Sequence, residues 1–157
     1  MREHRYEPTV TWTGNRGQGT VGPRSYGREH IVSATSKPDL PGSSDPAFLG
    51  DSTRWNPEEL LVASLSQCHM LWFLGLAAAA GVVVTDYVDH PTGTMTEEPG
   101  GAGQFAEVTL RPEVTVSSTD DVLDKLEALH EEANRVCFIA RSVNFPVRHH
   151  ATARIDR

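Results

Sequence analysis

Trp55-Asn56-Pro57-Glu58-Glu59-Leu60-Leu61-Val62-Ala63-Ser64-Leu65-Ser66-Gln67-Cys68-His69 is the stretch that decides the fold. Asn56 is a strong N-cap residue, and Pro57 suits the first helical position, where no N–H is needed. Glu59 stands three residues after Asn56, in capping-box register. The helix opened here is expected to span residues 56–80, with Gly81 as its C-terminal stop. It is apolar almost all round, the pattern of a helix enclosed on most sides. A chain of 157 residues has little else with which to wrap it, so a second copy of the chain is expected to cover part of it.

Upstream, residues 6–13 alternate β-formers and run into Gly14-Asn15-Arg16-Gly17-Gln18-Gly19, a strand followed by a glycine-rich turn. Residues 28–35 read as a second strand, giving an N-terminal strand region over 6–35. Residues 37–54, rich in proline, glycine, serine and aspartate, read as an irregular loop. Downstream, residues 82–95 and 104–116 read as strands around a Pro99-Gly100-Gly101 turn. Ser118 or Thr119 is expected to cap a second helix over 119–136, with Asp120 and Asp121 complementing its macrodipole. In that helix Val122, Leu126, Leu129, Ala133 and Val136 recur at helical spacing, while Asp124, Lys125, Glu127, Glu131 and Glu132 face water. Residues 147–155 close the chain as a strand. Strands, helix, strands, helix, strand make an α+β protein: one domain, or two small lobes sharing a core.

Composition narrows the function. Hydrophobic residues at 38% and charged residues at 22% describe a globular chain. A net charge of -7 argues against nucleic acid or an anionic membrane as partner. The apolar run from Leu60 to Val84 is broken by Ser64, Ser66, Gln67 and His69, so it reads as a core or interface helix rather than a membrane span. Met1-Arg2-Glu3-His4-Arg5-Tyr6 has no secretory character, and a reducing, cytoplasmic setting is expected. Two cysteines in that setting read as catalytic, metal-binding or inert, not as a permanent staple.

Cys68 on an enclosed helix, taken alone, packs as a small hydrophobe, and so does Cys137. Their neighbours raise another reading. A cysteine nucleophile near pH 7 needs a cation to hold its thiolate, and a guanidinium stays charged in a buried site. Arg16, on its glycine turn, is a candidate, and Glu58 could orient it through a bidentate pair. Ten residues separate Glu58 from Cys68, about 15 Å along a helix, so an antiparallel helix of a second subunit or a loop must bring these groups together.

The Asn56-Pro57-Glu58 opening, the apolar run and a cysteine ten residues after the glutamate resemble the helix signature of the OsmC/Ohr family, the osmotically induced and organic-hydroperoxide-resistance proteins. The strand entering Gly14-Asn15-Arg16-Gly17 resembles the hairpin that carries the family's catalytic arginine, and Cys137 matches the position of its second cysteine. The resemblance covers essentially the whole chain and implies a single OsmC-like domain over 1–157. Its fold would have antiparallel sheets, a long buried central helix and a second amphipathic helix in an intertwined homodimer. It also implies a cofactor-free thiol peroxidase. Cys68 would reduce an organic hydroperoxide and become a sulfenic acid, Cys137 would close a disulfide, and an external dithiol, such as a lipoylated protein, would reopen it. Arg16 would stabilise the thiolate and Glu58 would orient Arg16. In one departure, Phe138 follows Cys137 where the family commonly has proline.

Other readings were weighed. Trp72 and Phe73 are candidates for lining a pocket for an alkyl hydroperoxide, against the plainer role of core aromatics. His69, His130, His149 and His150 show no metal-binding spacing, so no metal is expected, and each reads as a satisfied or exposed histidine. His69 points about 100° away from Cys68 around the helix and is not a ready base. The alternative function is a non-catalytic OsmC-like protein that binds a small molecule or senses oxidation.

Overall fold

The computed structural model describes residues 1–117 and 122–156. Its chain divides into two compact units, residues 1–61 and 62–157. The expected capping residues Ser118 and Thr119, with Asp120 and Asp121, lie outside the described residues.

In the first unit, β1 (Thr9–Trp12), β2 (His30–Ser33) and β3 (Leu40–Gly42) form an antiparallel sheet in that order. Thr9 lies opposite Ser33, and His30 opposite Gly42. The long connection between β1 and β2 is held at its base. The Trp12 indole N–H donates to the Gly27 carbonyl at 2.8 Å, and Gly27 N–H donates to Gly14 O at 2.8 Å. A side chain at Gly14 would drive its Cβ to 2.0 Å from the Gly27 carbonyl oxygen, so glycine is required there. The span 37–54, expected to be irregular, contains β3 and a 3-10 turn at Pro46–Phe48. The carboxylate of Asp45 caps that turn, accepting from Ala47 N–H at 2.7 Å. Three residues of strand inside a proline-rich segment leave too short a pattern to recognise from sequence.

Helix α1 (Pro57–Ala79) begins as the sequence dictates. Asn56 Oδ1 accepts from Glu59 N–H at 2.8 Å, and Glu59 Oε2 accepts from Asn56 N–H at 3.3 Å, closing the capping box. It ends in a Schellman motif: Val82 N–H donates to Ala77 O, Gly81 N–H to Ala78 O, and Gly81 has φ of 73°.

The second unit holds two three-stranded sheets. One has the order β4 (Val84–Asp89), β7 (Pro112–Val116), β9 (Thr152–Ile155); the other β5 (Thr92–Glu97), β6 (Gly103–Leu110), β8 (Val147–His149). The early pairs are antiparallel, but β8 and β9 add to their sheets in parallel, so both sheets are mixed rather than wholly antiparallel. The closing stretch 147–155 is therefore two strands, divided at His150-Ala151, each serving a different sheet.

Helix α2 (Leu123–Val136) is amphipathic and buries Leu126, His130 and Ala133. Two cores result. Phe73 and Ala77 of α1 pack with Val114, Val116, Leu126 and Ala133, while Leu65 packs with Val108 and Leu110. By length and composition α1 is apolar enough to cross a membrane. Its buried stripe, Leu65, His69, Phe73, Ala77, instead runs through the packed interior at four-residue spacing.

Asn56→Ala removes an acceptor that one helix N–H needs. It should lower unfolding free energy by about 1 kcal/mol in urea titration, with an unchanged m-value.

Candidate thiol site

Cys68, on α1, and Cys137, the residue that ends α2, are both free thiols. Cys68 is half-buried, whereas Cys137 is 1% exposed. The chain leaves α2 at Cys137 in an extended conformation and turns at once into a 3-10 helix, Ala140–Ser142. Ala140 N–H donates to Cys137 Sγ at 3.4 Å, and Arg141 N–H to the Cys137 carbonyl at 3.0 Å, which fixes the sulfur at the helix end. Burial, and then a hydrogen bond with the Cys68 thiol, push Cys137 up to about 11. The two cysteines, 69 positions apart in sequence, are thus neighbours. At neutral pH Cys137 is a protonated thiol, and Cys68 is the sulfur with an open side.

Trp72 lies one helical turn beyond Cys68, and its ring meets Phe138 edge to face at 5.3 Å. Phe138 is 67% exposed, and Trp72 is half-buried. Phe73 is different. It is fully buried, its ring stacked on His130 at 3.9 Å and tilted against Tyr87 at 5.8 Å. Phe73 is therefore a core residue and offers no pocket wall, because its face of α1 is turned into the interior.

Beside the thiols is a feature that residue spacing hid. His69 Nε2 and His130 Nδ1 form a hydrogen bond of 3.0 Å, and both side chains are 1% exposed. Their planes differ by 2° with centroids 5.3 Å apart, so the rings meet edge to edge in one plane. One ring donates and the other accepts. The outer nitrogens, His69 Nδ1 and His130 Nε2, are buried without a partner among the described residues. His149 stands 5.6 Å from the His69 ring and 6.0 Å from that of His130, with its Nε2 3.5 Å from Glu127 Oε1. Among the described residues no group of three or more His, Cys, Asp or Glu is arranged to hold a metal ion. The in-line bond accounts for part of this, since it uses the two nitrogens against each other. His69 is therefore buried and bonded on one side only, where a satisfied or exposed histidine was expected. The signal was present in the sequence. His69 falls four residues from both Leu65 and Phe73, and His130 four from Leu126, each on the buried stripe of its helix.

Burial, reinforced by His149, lowers His69 from 6.5 to about 4; burial, then His69 and His149, lower His130 from 6.5 to about 3. Both rings are neutral in the folded protein at pH 7.

In the first unit, Arg16 is exposed on the turn after β1. Asn15 Oδ1 shapes that turn, accepting from Gly17 and Gly19 N–H, and both glycines have positive φ. Arg16 joins no ion pair among the described residues. Glu58, in the first turn of α1, is half-buried, and its Oε2 is enclosed with no hydrogen-bond partner among the described residues.

A family model described as OsmC-like protein matches residues 50–150. A solved structure of an OsmC-like protein of unknown function from Vibrio cholerae is 32% identical, with a TM-score of 0.84, covering 97% of this chain and 100% of the other. The chain belongs to the OsmC-like family. The same fold extends to more distant members. An organic hydroperoxide resistance protein from Legionella pneumophila is 15% identical with a TM-score of 0.63, covering 96% and 98% of the two chains. One from Elizabethkingia anophelis is 14% identical with a TM-score of 0.64, covering 99% and 100%. No curated protein sequence matches the chain.

The neutral histidine pair makes stability depend on pH. In the unfolded chain these rings gain protons near pH 6.5, whereas the folded rings stay neutral to about 4 and about 3. The unfolded state therefore binds more protons as pH falls, and native stability is lost from about pH 6.5 downward. Between pH 7 and 4.5 the native protein should lose about 2 kcal/mol or more beyond the loss of a His69→Gln/His130→Asn variant, measured by urea unfolding at each pH.

Proposed function

We propose that this OsmC-like protein is a thiol peroxidase that reduces organic hydroperoxides through Cys68. The observation that carries the reading is the pairing of two reduced thiols in unlike settings, Cys68 half-buried and Cys137 enclosed against it. Distant relatives of the same fold are named organic hydroperoxide resistance proteins.

In the first step the Cys68 thiolate attacks the outer peroxide oxygen. The O–O bond breaks, the alkoxide takes a proton and leaves as alcohol, and Cys68 becomes a sulfenic acid. In the second, the Cys137 sulfur displaces the hydroxyl, which leaves as water with the thiol proton, and a disulfide forms. An external dithiol then exchanges with that disulfide, becoming oxidised itself and restoring both cysteines. A high pKa keeps Cys137 from competing for peroxide and reserves it for the second step.

Likeness to the OsmC/Ohr family assigns Arg16 the role of the cation that stabilises the thiolate and Glu58 that of the carboxylate that orients Arg16. A carboxylate oxygen enclosed with no donor calls for one, and a guanidinium with no ion partner is suited to supply it. Trp72 and Phe138 form the apolar side of the thiol pair, matching the alkyl or aryl part of an organic hydroperoxide. The protein works as a cytoplasmic homodimer. Leu71 is 65% exposed, and Gln67, Gly75 and Ala78 are exposed along α1, a strip of apolar and small residues fit to pack on another helix.

Cys68→Ser should abolish turnover of cumene hydroperoxide in a dithiol-coupled assay. Cys137→Ser should complete one cycle and leave a sulfenic acid that a dimedone probe captures. Arg16→Ala should slow thiol oxidation by about tenfold or more, because the thiolate loses the cation that holds it. Full turnover by Cys68→Ser would remove Cys68 from the reaction.

Leu71→Glu should shift the protein from dimer to monomer in sedimentation velocity runs. A dimer unaffected by this charge would place the subunit contact elsewhere.

A further inference from the structure

The reactive thiols and the buried imidazoles share one helix crossing. On α1, Cys68 and His69 are consecutive; on α2, His130 precedes Cys137 by seven residues, two helical turns, and so lies on the same face. At the crossing the two thiols are neighbours and the two rings are hydrogen-bonded. The thiol contact is remade during a redox cycle, whereas the ring contact is not consumed by any step. Two polar side chains in the middle of otherwise apolar stripes are a costly choice unless their mutual bond fixes something that apolar packing would leave free to slide.

We infer that the His69–His130 hydrogen bond is the strut that sets the register of α1 on α2, so that Cys137 stands in reach of Cys68, and that protonation of this pair releases the two thiols from each other. His69 and His130 are then positioning residues and touch neither substrate nor sulfur. The inference rests on the reading of Cys68 and Cys137 as a redox couple.

The ionisable groups around the two rings are His149, Glu127, Tyr87 and Cys137. His149 faces both rings from β8, and its partner Glu127 sits on the exposed side of α2. Phe73 covers the His130 face, and beyond it lies Tyr87 of β4, a buried hydroxyl without a partner, pushed up by burial and then by Asp89. Cys137 is held as a thiol. No carboxylate bonds either buried ring, so a proton arriving there creates an uncompensated charge in the core, which the helices relieve by separating.

The test uses 4,4′-dithiodipyridine, a thiol oxidant that reacts in mild acid. Cys68 displaces one thiopyridone and forms a mixed disulfide; Cys137 then attacks that disulfide and releases a second. The second release is intramolecular, needs no peroxide, and reads the closeness of the two sulfurs. At pH 7, His69→Leu should slow it by about tenfold or more, as small misplacements of reacting groups do. His69→Gln/His130→Asn, which keeps a hydrogen bond without a titrating ring, should stay within about threefold of the native rate. The ratio of the native rate to that of this double variant cancels the ionisation of the thiol and of the reagent. It should fall by about twofold between pH 6 and pH 4, where the His69 ring, lowered to about 4, is half protonated. A ratio constant over that range, or a folded His69→Leu protein closing its disulfide at the native rate, overturns the inference. Should His69→Leu fail to fold, the ratio decides. Release of a single thiopyridone by the native protein at pH 7 would instead refute the redox pairing itself.

Discussion

Polar groups buried where two helices cross have to bond each other, and in this protein that requirement governs the interior of the second unit. Leu65, Phe73 and Ala77 would serve any core, but the fourth member of their stripe is His69, with His130 facing it. A neutral imidazole can satisfy another imidazole only along the line joining two nitrogens, so the pair tolerates far less sliding than leucine against leucine. Leu65 belongs to one hydrophobic cluster, Phe73 and Ala77 to the other, with His69 between them. The histidine bond therefore lies at the seam of two cores, and Cys68, one residue away along α1, inherits its placement.

Around that crossing the two sulfurs acquire different characters. Cys137 is enclosed, held by Ala140 N–H, and raised to about 11, whereas Cys68 keeps an open side. An oxidation sequence needs this division: one sulfur that meets the oxidant and one that waits for it. The Trp72–Phe138 contact shields the same corner with apolar surface, and Phe138 takes the place commonly held by proline in the family. The bend that proline would supply is made instead by the extended conformation of Cys137 and the 3-10 helix after it.

The start of α1 was legible residue by residue, because an asparagine cap, a first-turn proline and a glutamate three positions on are local signals that the hydrogen bonds reproduce. Gly81 was equally plain as a stop. The amphipathic stripe of α2 is legible at Leu126 and Ala133, whereas His130 reads from sequence only as a satisfied or exposed histidine, because a histidine carries no apolar signal of its own. β3 was lost among prolines, and the parallel addition of β8 and β9 could not be read at all, since strand direction is set by long-range pairing and not by local pattern. The nearness of Cys68 to Cys137 comes from family likeness, not spacing, because a separation of 69 positions fixes nothing about distance in space.

Everything functional in this account turns on whether Cys68 and Cys137 are partners in one oxidation. Peptide mapping by mass spectrometry after treatment of the reduced protein with one equivalent of cumene hydroperoxide examines this directly. The account predicts a single cross-linked species, two hydrogens lighter than the sum of its peptides, joining residues 68 and 137 of the same chain. Recovery of both cysteines as unmodified thiols, or of Cys68 oxidised while Cys137 remains free, would contradict it.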